Sequence, residues 1–343
     1  MKPAPVISIS MNTGRLARLL LAAICLVGLG ACLARHPAQW SLLPSQLVRL
    51  SRTGKNVMRT PPPAERRFEP PAGMTVELPL LSRYRPGMYR PVLALQINQW
   101  RLTAELRSGF PGSFAAYGAA ARARLHLFLH GKGRLAERVV GNPVLPQTGS
   151  RRALLAVAGM IRMERMRMYD SCLQILDDRR GMQAFPDLFR PVSGVVLGYD
   201  FIRAFNYVVT DPRVGVLTLS TAETDRPSLE RLVAALFLVE DDFPAAVGVL
   251  DGRRRVKVIL DTGGNYELLT PALVHKGTAR SHPPAWRTVD LDLGGFVIPS
   301  LKAAAVSEED MTESKIFYLG GMVLMQYRVT FDNRRRKVYL QFP

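Results

Sequence analysis

The fold of this chain is decided by the stretch Val256-Lys257-Val258-Ile259-Leu260-Asp261-Thr262-Gly263-Gly264-Asn265, which delivers one carboxylate, that of Asp261, into a turn with two glycines. β-Branched and aliphatic residues favour a strand, and Gly, Asp and Asn are typical turn residues. The stretch therefore predicts a strand that ends in a tight loop, in which the hydroxyl of Thr262 can hydrogen-bond to a partner loop. The Asp-Thr-Gly triplet alone is weak support, because it recurs by chance in unrelated chains.

Residues further downstream supply the context that the triplet lacks. Residues 317–321 (Phe-Tyr-Leu-Gly-Gly) open a short apolar segment, residues 322–327, and residues 329–340 then have the pattern of two strands around a basic turn. In this order, the loop of Asp261, the Leu-Gly strand beneath it, the helix-sized segment and the final hairpin resemble the retropepsin-like aspartic proteases. The resemblance covers about the last third of the chain.

The resemblance implies an endopeptidase in which Asp261 is the catalytic acid-base residue and Thr262 and Gly263 shape its loop. It also implies that residues 286–297 form a flap and the following strand over an extended peptide or protein substrate, and that no cofactor takes part. In such enzymes two facing carboxylates share one proton, so that one acts as a base towards water and the other as an acid towards the carbonyl. A second acid is therefore expected to face Asp261.

Internal repeats predict that the chain holds two copies of one fold unit. Residues 196–219 parallel residues 319–340, because both contain a Leu-Gly pair, a helix-sized apolar segment, and then Thr and Asp before a hairpin. Residues 155–161 parallel residues 291–297, each a strand that breaks at glycine. Two lobes of one fold are therefore expected.

The expected fold class is mostly β, with two related retropepsin-like (acid protease) β-barrel lobes. The first, degenerate lobe spans residues 74–220 and the second spans residues 228–343, with residues 220–227 as the connector. Helices are predicted at three places, residues 114–125, 228–238 and 268–274.

The first lobe has its counterpart to the Asp261 loop in residues 102–109, where Arg107 takes the position of Asp261. An arginine cannot share a proton as a carboxyl group does, so Arg107 beside Asp261 would form a salt bridge and not a catalytic pair. Four alternatives stay open. In the first, the second lobe forms a homodimer in which two copies of Asp261 face each other. In the second, the chain is a catalytically inactive pseudoprotease that binds a peptide or protein partner in its cleft, and in the third the fold is only a structural module. In the fourth, Asp261 caps an ordinary turn of an unrelated β protein and Arg107 is a solvated charge.

The N-terminal segment predicts export. Arg15 and Arg18 precede the apolar residues 19–30, and Leu29-Gly30-Ala31-Cys32 resembles the cleavage site of a bacterial lipoprotein. Residues 1–32 are therefore expected to be a signal peptide, with Met1 or Met11 as the start. Cys32 would be acylated and would anchor the protein in the membrane on the periplasmic side. Leu33 gives no inner-membrane retention signal, which favours the outer membrane.

The segment after Cys32, residues 33–73, is rich in proline and arginine and reads as a tether, partly in polyproline II conformation. Once the signal is removed and Cys32 is acylated, Cys172 is the one thiol left in the folded part, so no intrachain disulfide is expected. Cys172 is predicted to be a small buried residue.

The net charge and the spacing of the histidines bear on partners and on metal binding. A net charge of +18 is typical of nucleic-acid-binding proteins, but the export signal argues against such a partner. Anionic lipid headgroups or an acidic partner suit this charge better. The basic runs 253–255 and 334–337 are expected at hairpin tips. His126 and His130 have the spacing of zinc ligands on a helix, but the segment reads equally as a strand, so no metal site is expected.

Overall fold

The structure is a computed structural model. It describes residues 68–82, 90–127, 129–130, 134–135, 137–139, 152–176, 193–223, 228, 230–239, 243–264, 267–269, 273, 286–305 and 315–343, which all belong to one unit, Leu42–Pro343. The predicted signal peptide, Cys32 and most of the tether lie outside the described residues. Within the described residues, no helix combines the length and the hydropathy needed to cross a membrane.

In the first half of the chain, the described residues form thirteen strands and two short helices. In chain order they are β1 (Thr75–Pro79), β2 (Val92–Ile97), β3 (Trp100–Leu106), β4 (Phe114–Ala116), α1 (Tyr117–Arg122), β5 (His126–Leu127), β6 (Leu129–His130), β7 (Arg134–Leu135), β8 (Glu137–Val139), β9 (Arg152–Met163), β10 (Met166–Leu176), β11 (Val195–Leu197), α2 (Tyr199–Ile202), β12 (Tyr207–Asp211) and β13 (Val216–Ser220).

The second half repeats most of this order. It contains β14 (Leu232–Phe237), β15 (Ala245–Leu250), β16 (Arg254–Leu260), β17 (Glu267–Leu269), β18 (Trp286–Asp292), β19 (Val297–Ala305), β20 (Ile316–Leu319), α3 (Gly321–Leu324), β21 (Arg328–Asp332) and β22 (Lys337–Gln341).

Each half closes a six-stranded barrel. In the first barrel β10-β4-β11-β3-β2-β9 are hydrogen-bonded in this order, and β9 pairs back with β10. In the second barrel the order is β15-β16-β20-β17-β19-β18, and β18 pairs back with β15. The two barrels have the same strand connectivity. In the first barrel β3 pairs in parallel with β11, and in the second β16 pairs in parallel with β20. The prediction of a mostly β chain with two related barrel lobes is confirmed.

A six-stranded sheet joins the two lobes, in the order β1-β13-β12-β21-β22-β14. Its central strands, β12 and β21, run antiparallel with Val209 opposite Thr330, so each lobe contributes three strands on either side of a pseudo-twofold axis. Both faces of these central strands are buried, and Val208 and Phe331 have no exposed surface. The lobes are therefore joined by continuous backbone hydrogen bonding and a shared apolar core.

The helix predicted over residues 228–238 is wrong, and the one predicted over 268–274 is wrong at Leu268 and Leu269, while residues 270–272 and 274 lie outside the described residues. Residues 228–238 contain the strand β14, because its alternating residues Ala234 and Leu236 are buried while it pairs with β22. In residues 268–274 the described part begins with the end of β17. Residues 114–125 contain β4 before the helix α1.

Candidate functional site

The two loops predicted to correspond do meet at the centre between the lobes. Strand β3 ends at Leu106 and β16 ends at Leu260, and the next residue in each chain segment, Arg107 or Asp261, starts its loop. The amide of Asp261 donates a hydrogen bond to the carbonyl of Leu319 (2.9 Å), and the amide of Arg107 donates one to that of Leu197 (2.9 Å). The Leu-Gly strand of each lobe thus lies beside the loop of the same lobe, as the repeat predicts.

The hydroxyl groups of Ser108 and Thr262 tie the loops to each other. Ser108 Oγ donates to the carbonyl of Leu260 (2.6 Å) and accepts from the amide of Thr262 (2.9 Å). Reciprocally, Thr262 Oγ1 accepts from the amide of Ser108 and donates to the carbonyl of Leu106, both at 3.3 Å. Both residues are buried. The sequence predicts the role of Thr262 in bonding a partner loop, whereas the role of Ser108 was missed although the repeat places it opposite Thr262.

Arg107 lies directly beside Asp261. Its Nη2 donates to Asp261 Oδ2 at 2.7 Å, and the side chains of the two residues are 0% and 4% exposed. The other carboxylate oxygen, Oδ1, accepts from the amides of Gly109 (3.3 Å) and Gly263 (3.2 Å). Both oxygens of Asp261 are thus held by donors, one of them a permanent cation.

Two further charged residues extend this ion pair into the first lobe. Glu105 Oε1 lies 3.7 Å from Nε of Arg107 and 3.5 Å from Nη1 of Arg90, and all three side chains are at most 9% exposed. The guanidinium of Arg107 also stacks over the ring of Phe110, 4.5 Å from its centroid. Burial lowers the pKa of Arg90, partly offset by the charge of Glu105. The cluster of Arg90, Glu105, Arg107 and Asp261 balances two positive against two negative charges, which favours its burial.

Sequence reasoning missed Glu105 and Arg90. The available signal was the alternation of β3, because Glu105 lies two residues before Arg107 and its side chain is expected on the same side of the chain. A charged residue at an inward position requires a partner of opposite charge. Arg90 follows a segment outside the described residues, and nothing in its sequence context marks it.

Glycines let each loop pack against the side chain of the other. A Cβ atom at Gly263 would overlap Cγ of Arg107, and a Cβ atom at Gly109 would overlap the carboxyl group of Asp261. Here glycine is required by close approach and not by its backbone angles. The predicted role of Gly263 in shaping the loop stays a prediction, for which this close contact supplies a physical reason.

Gly263→Ala is expected to lower the free energy of unfolding by about 1 to 3 kcal/mol, the usual cost of overpacking a filled site. The added methyl would displace the stem of Arg107 and lengthen its bond to Asp261. Urea unfolding followed by circular dichroism measures the change. Gly159→Ala is the matched control, since a Cβ there meets only the side-chain oxygen of Asn98 at 3.3 Å. Equal losses in the two variants would contradict the close-approach argument.

A buried acid lies behind the Asp261 loop. Glu267, at the start of β17, is 2% exposed, and burial raises its pKa to about 7. Its own amide and that of Val323 in α3 partly offset this rise in the pKa. In the first lobe the matching position, also six residues after the loop residue, is Ser113, whose Oγ accepts from the amide of Gly198 (2.8 Å) and donates to Asp200 (2.6 Å). The start of the short helix thus lies beside a carboxyl group, that of Glu267, in the second lobe and beside a hydroxyl group, that of Ser113, in the first.

The flap prediction for residues 286–297 is wrong. These residues form β18 and the turn to β19, and both strands belong to the wall of the second barrel. At the turn, Phe296 stacks edge-on against Tyr327 with ring centroids 5.8 Å apart. The hairpin turn is therefore packed against Tyr327, three residues after the end of α3.

The remaining predicted residues lie apart from this site. His126 and His130 belong to the short strands β5 and β6. The described part of the chain contains no group of three or more His, Cys, Asp or Glu side chains placed to hold a metal ion. Cys172 is buried beside Val157. Both basic runs lie at hairpin tips, as predicted: residues 253–255 span the end of the turn and the start of β16, and residues 334–337 span the turn and the start of β22.

No model of a known protein family matches this chain. A search of curated proteins also found no significant match.

Proposed function

We propose that this protein is a catalytically inactive aspartic-protease-like lipoprotein of the bacterial cell envelope, which binds an extended peptide or protein partner between its lobes. The observation that carries this proposal is the buried contact of Arg107 with Asp261 at 2.7 Å. It supports the pseudoprotease alternative because a guanidinium occupies the position at which peptide hydrolysis requires a second carboxyl group.

The chemistry of hydrolysis argues in the same direction. A carboxyl pair works by moving one shared proton between water, the two acids and the peptide carbonyl, and a guanidinium group does not give up its proton in proteins. Asp261 is 3% exposed, and both of its carboxylate oxygens accept hydrogen bonds from donors of the two loops. The predicted endopeptidase activity through Asp261 stays a prediction that this geometry does not favour.

The same contact bears on the homodimer alternative. Arg107 of the same chain lies where the second Asp261 of a symmetric dimer would lie, and the shared six-stranded sheet already joins the lobes. Both features support a central site formed within one chain. Peptide binding rests on the resemblance, since bilobal acid proteases hold an extended substrate over these two loops. Export and anchoring through Cys32 rest on residues 1–32 of the sequence.

Two assays on the full chain test this proposal. In the first, an unfolded protein is incubated with wild type and with Asp261→Asn between acid and neutral pH, and products are separated by mass spectrometry. We expect no cleavage by either protein. In the second, a fluorescent random-decapeptide library is titrated with the protein and its polarisation is measured. We expect saturable binding that is the same at acid and neutral pH.

Cleavage by wild type that Asp261→Asn abolishes would overturn the proposal in favour of the endopeptidase. Absence of both cleavage and peptide binding would leave the structural-module alternative as the better account.

A further inference from the structure

A row of exposed arginines crosses the outer face of the first barrel. Gln96 of β2 pairs with Arg101 of β3 on one side and with Arg162 of β9 on the other. Arg162 pairs in turn with Arg167 of β10. All three arginines are exposed, and we call these four residues the arginine row. At about 4.8 Å between neighbouring strands, the row extends roughly 14 Å across the barrel.

The core of the barrel fixes the direction of these side chains. Ile161 and Met168, which are next in sequence to Arg162 and Arg167, have no exposed surface. Since successive side chains of a strand point to opposite faces, burial of the first pair directs the second pair into solvent. The arginine row is therefore held in place by the strands of a closed barrel.

The positive charge of the row is concentrated and is not balanced locally. Arg162 and Arg167 lie directly opposite each other, an arrangement of like charges that destabilises a sheet. Within the described residues, none of the three arginines forms an ion pair. Nε of Arg162 donates to the carbonyl of Glu164 at 3.0 Å, which does not neutralise the guanidinium. An anionic partner would relieve this repulsion.

An exposed aromatic side chain adjoins the row. Tyr169 is 58% exposed, and it lies two residues after Arg167 on the same face of β10. Its partner across the hairpin is Met160, which is partly buried. A tyrosine ring combines an apolar body with a polar hydroxyl group, and such side chains are enriched where a membrane meets water.

The arginine row also lies close to the point at which the chain enters the first lobe. Arg165, in the turn between β9 and β10, donates from Nη2 to the carbonyl of Thr75 at 2.7 Å. Thr75 is the first residue of β1 and follows the predicted tether. Arg162 and Arg167 lie within three residues of Arg165, or roughly 10 Å along the strands. A surface beside the tether meets a membrane that holds the other end at a high effective concentration.

We propose that the arginine row and Tyr169 form a surface that lies against a membrane containing anionic lipids. The guanidinium groups bind the phosphates of the headgroups through charge-assisted hydrogen bonds, and the tyrosine ring enters the interface. We choose a membrane over other polyanions because of the anchoring through Cys32, and in this respect the surface rests on the proposed function.

Vesicle binding tests this surface without the anchor. The mature chain, residues 32–343 with Cys32→Ser, contains the whole compact unit Leu42–Pro343 and carries no acyl group. It is sedimented with vesicles of phosphatidylcholine that contain either no phosphatidylglycerol or about 30% of it. We expect binding to be stronger by about tenfold or more on the anionic vesicles, and to weaken at high salt.

Two double variants with the same net charge locate the surface. Arg162→Gln with Arg167→Gln is expected to weaken binding to the anionic vesicles by about tenfold or more, since each basic residue near such a membrane contributes about fivefold. Arg253→Gln with Arg255→Gln is the matched control, because it removes two exposed charges from a hairpin tip of the other lobe. We expect it to change binding by less than about twofold. Thermal unfolding verifies that both are folded.

Fluorescence quenching reads the contact directly. Tyr169→Trp places an indole beside the row, and Phe237→Trp places one at an exposed position of β14 as the control. Both are mixed with anionic vesicles that contain brominated lipid, and the parent chain gives the background from its own tryptophans. We expect quenching above this background in Tyr169→Trp and not in Phe237→Trp.

Four results would each overturn the proposal. These are equal binding to neutral and anionic vesicles, equal losses in the two double variants, no added quenching in Tyr169→Trp, and tighter binding to double-stranded DNA than to anionic vesicles at equal phosphate concentration. The last result would identify nucleic acid as the partner. None of them bears on the cleavage and peptide-library assays, so this surface and the proposed function fail separately.

Discussion

Arg107→Ala is expected to lower the free energy of unfolding by about 3 to 5 kcal/mol. The substitution removes the cation from a charge-balanced cluster and leaves the buried carboxylates of Asp261 and Glu105 with Arg90 as their remaining described cation. It also removes the guanidinium that stacks on Phe110. Urea unfolding at neutral pH, followed by circular dichroism, measures the loss.

The control for this prediction lies on the same strand. Arg101→Ala removes an exposed arginine of β3 and is expected to change stability by no more than about 0.5 kcal/mol. The double variant Arg107→Leu with Asp261→Leu is expected to recover much of the loss, because a buried ion pair can be exchanged for apolar side chains at little cost. If Arg107→Ala unfolds like Arg101→Ala, the ion pair does not hold the lobes together as argued.

Stability is expected to fall by about 3 kcal/mol as pH rises from about 4.5 to about 7, because of Glu267. The rise of its pKa from 4.5 to about 7 means that the folded state keeps a proton that the unfolded state releases. A shift of one pKa unit corresponds to about 1.4 kcal/mol. This contribution is fully present below the unfolded pKa and is lost as pH rises through the folded pKa.

Glu267→Gln is expected to remove this part of the pH dependence, since glutamine is neutral throughout and keeps an oxygen that can accept from the amide of Val323. Unfolding free energies measured at about pH 4.5, 6 and 8 give the comparison. Glu77→Gln, at an exposed position of β1, is the control and should leave the slope unchanged. A slope that persists in Glu267→Gln would show that other groups cause it.

Much of the fold could be predicted from internal repetition. The Leu-Gly pairs at Leu197 and Leu319 each follow a strand and precede a short helix, so they fixed the number of lobes and the position of the central loops. The same comparison placed Arg107 opposite Asp261, which the 2.7 Å contact now shows directly. Repeats are informative here because each element identified in one lobe predicts an element of the same type at the matching place in the other lobe.

The errors came from segments whose pattern fits two structures. The residues of β14, Leu-Val-Ala-Ala-Leu-Phe, combine good helix formers with alternating burial, and pairing with β22 decided in favour of a strand. The hairpin of β18 and β19 has the appearance of a flap in the sequence, but closure of the barrel takes both strands into its wall. Glu105 and Arg90 could not be paired in advance, because strand periodicity gives the direction of a side chain and not its partner across the barrel.

The pseudo-twofold axis between Val209 and Thr330 has a consequence for assembly. If the chain were cut between its lobes, two copies of the first fragment would bring Arg107 against Arg107, and two copies of the second would bring Asp261 against Asp261. Only the mixed pair of fragments unites opposite charges at the axis. The ion pair thus favours association of two different fragments over association of two identical ones.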